Sequence, residues 1–402
     1  MANVFANTQA VTFETLYLLQ PNLVFAGSVN NEYSREFGIE GNKKGDTIQI
    51  RLPQQFLGRT GTAVNLEGIT DRTIPLTLTT QFGVDFAVTS ADLKLSIDDV
   101  RNRYLNKAAI TIANKVDRDG FTLAAITSTN MVGVPGTALT NEDVIRDATV
   151  KLDEDETPLD DQRYIVINSK QEQKILSATK VQFNDQAELG KQYRKGRMGV
   201  ALGYNWTMSQ TTPRLVAGTL GGVPTVSGAN QTGALLNITA LGANATVHVG
   251  DKFTIDGVFA VENISHVALA SLQQFTVLSN TVANASGAAA LSISPAITPT
   301  GQYQNVSASP AAGAGVHFIQ PTGVTYTAGL AYHRDAFTVA FARLDEPRGV
   351  ESASVATDPD TGVSIRSVLF WNGMTDQWIY RFDCLYGWAA LYPQTSCVIA
   401  SD

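Results

Sequence analysis

The sequence predicts an α+β protein whose mixed helix and sheet body is interrupted by an inserted all-β module. Three observations predict it. Two runs near the N-terminus alternate apolar and polar residues, the period of half-buried strands. A stripe of apolar residues three or four apart follows them, the period of a surface helix. At about Gly221 the composition then turns to Ala, Gly, Thr, Ser, Val and Asn with almost no charge, and it stays so for about a hundred residues.

Residues 1–35 read as an N-terminal arm. Residues 11–19 can form a short helix that Pro21 stops, and the polar, irregular stretch behind it is expected to lie on another surface. Residues 36–93 read as an extended β-hairpin. Its limbs are 47–52 and 74–88, the second carrying Ile74, Leu76 and Leu78, then Phe82, Val84, Phe86 and Val88. The connection between them, 53–73, holds Gly58, Gly61 and Gly68; loops of that length are uncommon unless functional.

Residues 94–135 carry the long helix. Ser96 is placed to cap it, with Asp98 and Asp99 at the positive end of its dipole. Ile97, Val100, Tyr104, Ala108, Ile112 and Val116 make its apolar stripe, which is expected to end near Thr122 after roughly 40 Å. In 136–221 helix and strand alternate. Thr140 is the expected cap of a helix that buries Val144, Ala148 and Leu152. Residues 164–167 read as a buried strand, Ser169 with Glu172 as a capping box, and 199–208 as another strand. Residues 222–325 hold short alternating runs at 235–238, 252–255, 275–278 and 290–293 with turns between them, the pattern of a small barrel or sandwich. Residues 326–402 resume the earlier pattern, with an Ala-rich, helix-capable segment at 327–337 and strands at 367–371, 378–385 and 397–400.

At 402 residues the chain suggests two or three structural units. Charged residues make up 16%, below the roughly 25% of soluble domains, which suits a surface covered by neighbouring copies. The net charge of −8 argues against tight binding of phosphate backbones, which draws on Lys and Arg. The two cysteines, Cys384 and Cys397, form neither a zinc pattern nor a disulfide framework and suit a reducing compartment. The first basic residue is Arg35, so no secretory signal is expected, and no early stretch is apolar enough to span a bilayer.

No catalytic, cofactor or metal site emerges. The histidines, His248, His266, His317 and His333, lack paired-ligand spacing. His333 beside Asp335 has no Gly-x-Ser-x-Gly elbow to serve. The Gly-rich run 190–199, with Lys191, Arg194, Lys195 and Arg197, lacks the phosphate-loop spacing and reads as a loop making salt bridges between subunits, with weak DNA contact as the lesser reading. Asp153, Glu154, Asp155, Glu156, Asp160 and Asp161 form an acidic cluster without the alternation and Gly turn of a calcium loop. A solvated helix end is its plainest reading, and a partner for the basic loop of a neighbouring copy the alternative.

Three segments carry a family resemblance. Gly196 to Tyr204 has the order Gly-Arg-x-Gly-x-x-x-Gly-aromatic found in phage coat proteins. Ala331 to Phe337 is similar to their entry into late axial-domain strands, and Tyr380 to Trp388 with Pro393 to their C-terminal strand pair. With the order arm, hairpin, helix and mixed domain, the chain resembles the Hong Kong-97-type capsid fold of tailed double-stranded DNA phages. Gly250 to Val258 resembles the core hairpin of the inserted domain in the phage P-22 coat protein and its relatives.

The resemblance implies a major capsid protein, not an enzyme, without cofactor, that assembles as pentamers and hexamers into an icosahedral virion shell in the host cytoplasm. It implies a scaffolding protein, a portal protein and packaged DNA as partners, with no membrane. Arg51, Phe56, Leu57, Arg59, Val64, Leu66 and Arg72 at the hairpin tip would then contact other subunits. Some members of the fold link a loop lysine to a neighbouring asparagine, but no lysine stands between Lys44 and Lys94 here. The loop arginines stay protonated, so a shell held by non-covalent contacts is expected. A β-rich tail-associated or surface adhesin is the alternative function.

Overall fold

The computed structural model describes residues 8–37, 43–58, 61–62, 64, 66–69, 71–88, 104–179, 199–359, 361–375 and 377–402. It resolves into two compact units, one of 1–51, 73–121 and 337–391, the other of 52–72, 122–336 and 392–402.

The first unit is built on the 14-residue strand Gln377–Ala390. Strands Phe337–Ala342, Ser364–Asn372 and Thr80–Val88 all pair with it antiparallel, and Ser352–Thr357 pairs with Ser364–Asn372. The long alternating run therefore divides at Leu78. Its first part, Arg72–Thr77, forms a two-stranded sheet with Thr47–Leu52, and its second, Thr80–Val88, joins the larger sheet. Leu78 marks the division by exchanging backbone bonds with Gly45 and Asp46.

Residues 8–35 do not form an arm lying elsewhere. Helix Thr8–Leu19 packs on strands Ser352–Thr357 and Ser364–Asn372, burying Val11, Leu16 and Leu19. The buried hydroxyls of Thr12 and Thr15 donate to carbonyls one turn back, so their burial leaves no donor unpaired. Behind the helix, Phe25 stacks between Phe121 at 4.3 Å and Trp388 at 5.3 Å. The Asp117 carboxylate accepts the backbone N–H groups of Val24, Phe25 and Ala26 at 2.8, 3.3 and 3.0 Å. The stretch looked polar and irregular because its backbone partner lies some ninety residues away, beyond any local pattern. Burial pushes the Asp117 carboxyl up to about 6, and the three N–H donors oppose that rise.

The long helix is Asn106–Thr127. The expected cap at Ser96, and Ile97, Val100, Asp98 and Asp99, lie outside the described residues. Ala108, Ala109, Ile112, Ala113 and Val116 are buried. Gly120 faces Trp388 so closely that a Cβ would stand 2.4 Å from the indole. The helix outlasts its expected end by five residues because its last carbonyls find partners: the buried Lys252 Nζ donates to Ala125 O at 3.2 Å, and Thr276 Oγ1 to Ile126 O at 3.1 Å. Both donors come from the inserted module, which no helix pattern could anticipate.

The second unit contains a seven-stranded mixed sheet. Its order is Asn130–Val132, Ser396–Ser401, Thr325–His333, Arg163–Ile167, Tyr204–Met208 and Val200–Ala201, with Arg214–Val216 paired to Thr325–His333. Helix Asp143–Glu154 buries Ile145, Ala148 and Leu152 on it. Thr140 is not its cap; the helix begins three residues later, after Glu142, which makes no side-chain capping bond. Helix Ser169–Thr179 is capped one residue earlier than expected. Asn168 Oδ1 accepts from Gln171 N at 2.7 Å, and Gln171 Oε1 accepts from Asn168 N at 3.1 Å. That is the reciprocal capping box in a pair that competes locally with Ser169 and Glu172.

The helix-capable segment 327–337 is strand as far as His333, then a short 3-10 turn at Arg334–Ala336 before the next strand. Thr325–His333 runs between Ser396–Ser401 and Arg163–Ile167, antiparallel to both, with all but its first residue buried. A strand covered on both faces reads as a continuous apolar run without alternation, which is why its alanines suggested a helix.

The inserted module is a barrel. The strand order Val316–Phe318, Lys252–Val261, Ala268–Val277, Ala289–Ile297, Gly233–Thr239 and Thr225–Val226 closes on itself. Val226 N donates to Ala314 O and Val316 N to Pro224 O, each at 2.9 Å. Leu236 and Ile238, Phe253 and Ile255, Phe275 and Val277, and Leu291 and Ile293 point inward and share one core, as period two requires. Because this core is the module's own, residues 222–325 expressed alone are expected to give a β-type circular dichroism spectrum and a cooperative urea transition. Phe275→Ala should then cost about 3–5 kcal/mol, read as a lowered urea midpoint. A random-coil spectrum from the wild-type segment contradicts the assignment.

Candidate assembly surfaces

The described residues of the hairpin tip carry several exposed apolar groups. Leu57 N donates to Glu67 Oε2 at 2.9 Å and Gln54 Nε2 to Gly68 O at 3.4 Å, so the two limbs are tied across the tip. Phe56, Leu57 and Val64 are exposed, and Leu66 is 90% exposed. Ile69, absent from the sequence-based set, is exposed beside them; it was visible as a further apolar residue of the same loop. Covering a side chain of this size stabilises by about 1.5–3 kcal/mol, and contiguous exposed apolar groups mark interaction sites. Arg51 is exposed at the end of its strand, and Arg59 lies outside the described residues. Arg72, expected to reach a neighbouring copy, instead places its guanidinium carbon 4.5 Å from the Tyr303 ring centroid of its own chain.

The first four acids of the cluster, Asp153 to Glu156, are not a solvated helix end. Asp153 binds Arg163 at 2.8 Å. Glu154 binds Lys151 at 2.6 Å and accepts from Ser271 Oγ at 2.9 Å. Glu156 accepts from Ile264 N at 3.3 Å. Asp155 accepts from Asn130 Nδ2 at 2.7 Å, and its surroundings include Ala260, Val261, Leu269 and Leu272 of the barrel. Burial raises the Asp155 carboxyl to about 7. Asn130 and Lys151 favour the ionised form and Glu154 and Glu156 oppose it. Asp153 to Glu156 are therefore engaged within the chain, while the Asp153 side chain stays 51% exposed and Asp160 and Asp161 are exposed. Lys191, Arg194, Lys195 and Arg197 of the basic loop lie outside the described residues.

Among the described residues no group of His, Cys, Asp or Glu is arranged to hold a metal ion, and no helix is long and apolar enough to cross a membrane. His333 is buried. Its Nε2 lies 3.1 Å from Asp160 Oδ1, and its Nδ1 accepts from Asp335 N at 3.2 Å, which makes it a bridge between neighbouring backbone segments. Cys384 and Cys397 are free and buried, and burial pushes both thiols up to about 12, far from a nucleophile at neutral pH.

The sequence profile of the family described as P22 coat protein, gene protein 5, matches residues 1–398. No curated protein matches the chain in sequence. Among solved structures it is similar to one from Mycobacterium phage Che8, at 13% identity over 94% of this chain and 90% of that one, with a TM-score of 0.44. It is similar to the capsid of Ralstonia phage GP4 at 9% identity over 94% and 88%, with a TM-score of 0.45. It is also similar to the CUS-3 coat protein I-domain at 26% identity, over 24% of this chain and 96% of that one, with a TM-score of 0.19.

Asp155 sets a pH dependence whose sign can be worked out. Its folded-state carboxyl holds a proton up to about 7, while the unfolded chain releases it near 3.8. Between those values the folded state binds the extra proton, so stability falls as pH rises through that window. Asp155→Asn keeps an acceptor for Asn130 and carries no charge. It is expected to raise the melting temperature of the free subunit by several degrees at pH 8, with a smaller gain at pH 5. Thermal melts at the two pH values decide it, and an equal or lower melting temperature at pH 8 contradicts the burial argument.

Proposed function

The chain belongs to the P22 coat protein family and is a phage major capsid protein of Hong Kong-97-type fold that builds an icosahedral shell; from that premise we propose that it does structural work without catalysis, and how this subunit meets its neighbours. The observation that carries the proposal is the row of exposed apolar residues on one hairpin tip, Phe56, Leu57, Val64, Leu66 and Ile69. The tip docks on an adjacent copy, with Arg51 and Arg59 offering bidentate bonds to carboxylates there. Capsomers of five and six copies close through head-to-tail contacts, in which one surface meets a different one on the next subunit. The basic loop of one copy, with Lys191, Arg194, Lys195 and Arg197, pairs with Asp153 of another. The shell holds without covalent links, since the loop has no amine nucleophile.

In this proposal a scaffolding protein guides closure in the host cytoplasm and leaves, and a portal at one vertex admits the DNA. The net charge of −8 supports a wall along which DNA slides, with no sequence-specific contact. The low charge fraction supports a surface that spends its working life covered. No observation favours the adhesin.

Deleting residues 55–70 is expected to leave soluble, folded subunits that no longer close into shells. Circular dichroism and sedimentation establish folding, and electron microscopy of negatively stained samples with scaffold present reads assembly. Normal particles from the deletion variant contradict the docking role of the tip.

A further inference from the structure

One tyrosine of the inserted barrel touches both limbs of the hairpin. Tyr303 Oη donates to Gln54 Oε1 at 3.0 Å on the outgoing limb, and its ring lies under the Arg72 guanidinium at 4.5 Å on the returning limb. Gln54 passes the contact on, because its amide donates to Gly68 O across the tip. Two residues that begin and end the connecting loop thus converge on a single side chain more than two hundred positions away.

The tyrosine is presented by a braced turn. Thr298 N donates to Asn305 Oδ1 at 2.9 Å, Asn305 Nδ2 donates to Ala296 O at 2.7 Å, and Asn305 N donates to Thr298 O at 3.0 Å. Gln304 N closes the tighter turn inside it by donating to Gly301 O, with Gly301 at a φ of +94° that suits glycine alone. Beyond this contact the tip stands off the module: a cavity of about 260 Å³ lies between Gln55 and Phe56 on one side and Asn263, Ile264, Asp155 and Glu156 on the other. The loop is therefore held at its neck, and its described apolar residues beyond the neck are exposed.

We propose that Tyr303 is a clip by which the inserted barrel grips the neck of its own subunit's hairpin, aiming the tip before any second copy engages it. A loop of this length without such a hold samples many directions, and docking would have to select one of them. A neck restrained in the free subunit has already lost that entropy, which raises the rate and strength of docking without adding a contact between copies. The inserted module would then act on assembly through its own chain. The clip is a property of the free subunit, so its test does not depend on how shells form.

The test is amide hydrogen exchange on the full-length wild-type chain and two variants, Tyr303→Ala and Tyr303→Phe, held as dilute monomers. Tyr303→Ala is expected to speed exchange in the described loop segments near Gln54 and Gly68 roughly tenfold, equivalent to about 1.4 kcal/mol. Barrel strands 252–261 and 268–277 should keep their protection. Tyr303→Phe keeps the ring under Arg72 and loses only the hydroxyl, so its effect should be smaller. If Tyr303→Ala loosens the barrel as well, Gln54→Ala reads the clip from the hairpin side and should still speed exchange across the tip. Unchanged loop exchange in both Tyr303→Ala and Gln54→Ala overturns the proposal. So does a wild-type loop that is unprotected in monomers and protected only in particles, since the hold would then come from another copy.

Discussion

The second unit depends on the pairing of Arg214–Val216 with Thr325–Thr327. The chain leaves its sheet at the first segment, builds a barrel of about a hundred residues, and returns at the second. Val216 faces Thr325, Leu215 faces Tyr326 and Arg214 faces Thr327, and the seal continues through Ala217 N to Val324 O and Gly323 N to Gly218 O, each at 2.9 Å. Ends already held side by side make an insertion inexpensive, because loop closure then costs little whatever the loop contains. The returning strand is also the centre of the sheet, flanked by Ser396–Ser401 and Arg163–Ile167. A barrel that failed to bring Thr325 back beside Val216 would leave that centre empty and open one edge of each neighbouring strand.

The barrel repays its host with side chains. Lys252 is fully buried and donates to the end of the long helix, where cations are favoured by the helix dipole. Burial lowers its ammonium to about 7, against the pull of Cys397 and Asp251, so the bond to Ala125 O survives as an amine donor at alkaline pH. Gln274 adds a second joint: it accepts from Met131 N at 2.7 Å and donates to Met131 O at 3.2 Å, occupying both backbone groups of an edge strand that would otherwise stand open. With the clip at Tyr303, the module touches a helix end, a sheet edge and a hairpin neck within its own unit. Its low charge and its abundance of Gly and Thr make it look like filler in sequence, yet its few long polar side chains make each of these contacts.

What the sequence disclosed follows the range of the forces involved. Strand Thr47–Leu52 and the barrel strands were legible because burial on one face imprints period two. The family was legible because Gly196 to Tyr204 and Gly250 to Val258 keep their glycines and aromatics in recognisable order. The helix ending at Leu19 was legible, but the stretch behind it was misread because the partner of Val24, Phe25 and Ala26, Asp117, is distant. The strand Thr325–His333 was misread because burial on both faces erases the alternation that distinguishes it from a helix. Of the assembly surfaces, the exposed tip was anticipated from loop length and apolar content. The inward turn of Asp155 was not, since four consecutive acids look solvated until the barrel is seen beside them. Arg72 shows the same limit: its residue type suggested a carboxylate on another copy, and nothing in its local sequence placed its guanidinium against the Tyr303 ring.

These contacts leave Phe56, Leu57, Val64, Leu66 and Ile69 of the hairpin end exposed, and a capsid subunit has one kind of partner in abundance. The central claim is that this end is where copies meet. The most direct measurement is a reconstruction of the assembled particle at side-chain resolution, read at Leu66, which is 90% exposed in the single chain. The account predicts Leu66 buried against a different subunit, with Val64 and Ile69 in the same contact. A shell in which Leu66 and its neighbours remain open to solvent, or fold back onto their own chain, would contradict it.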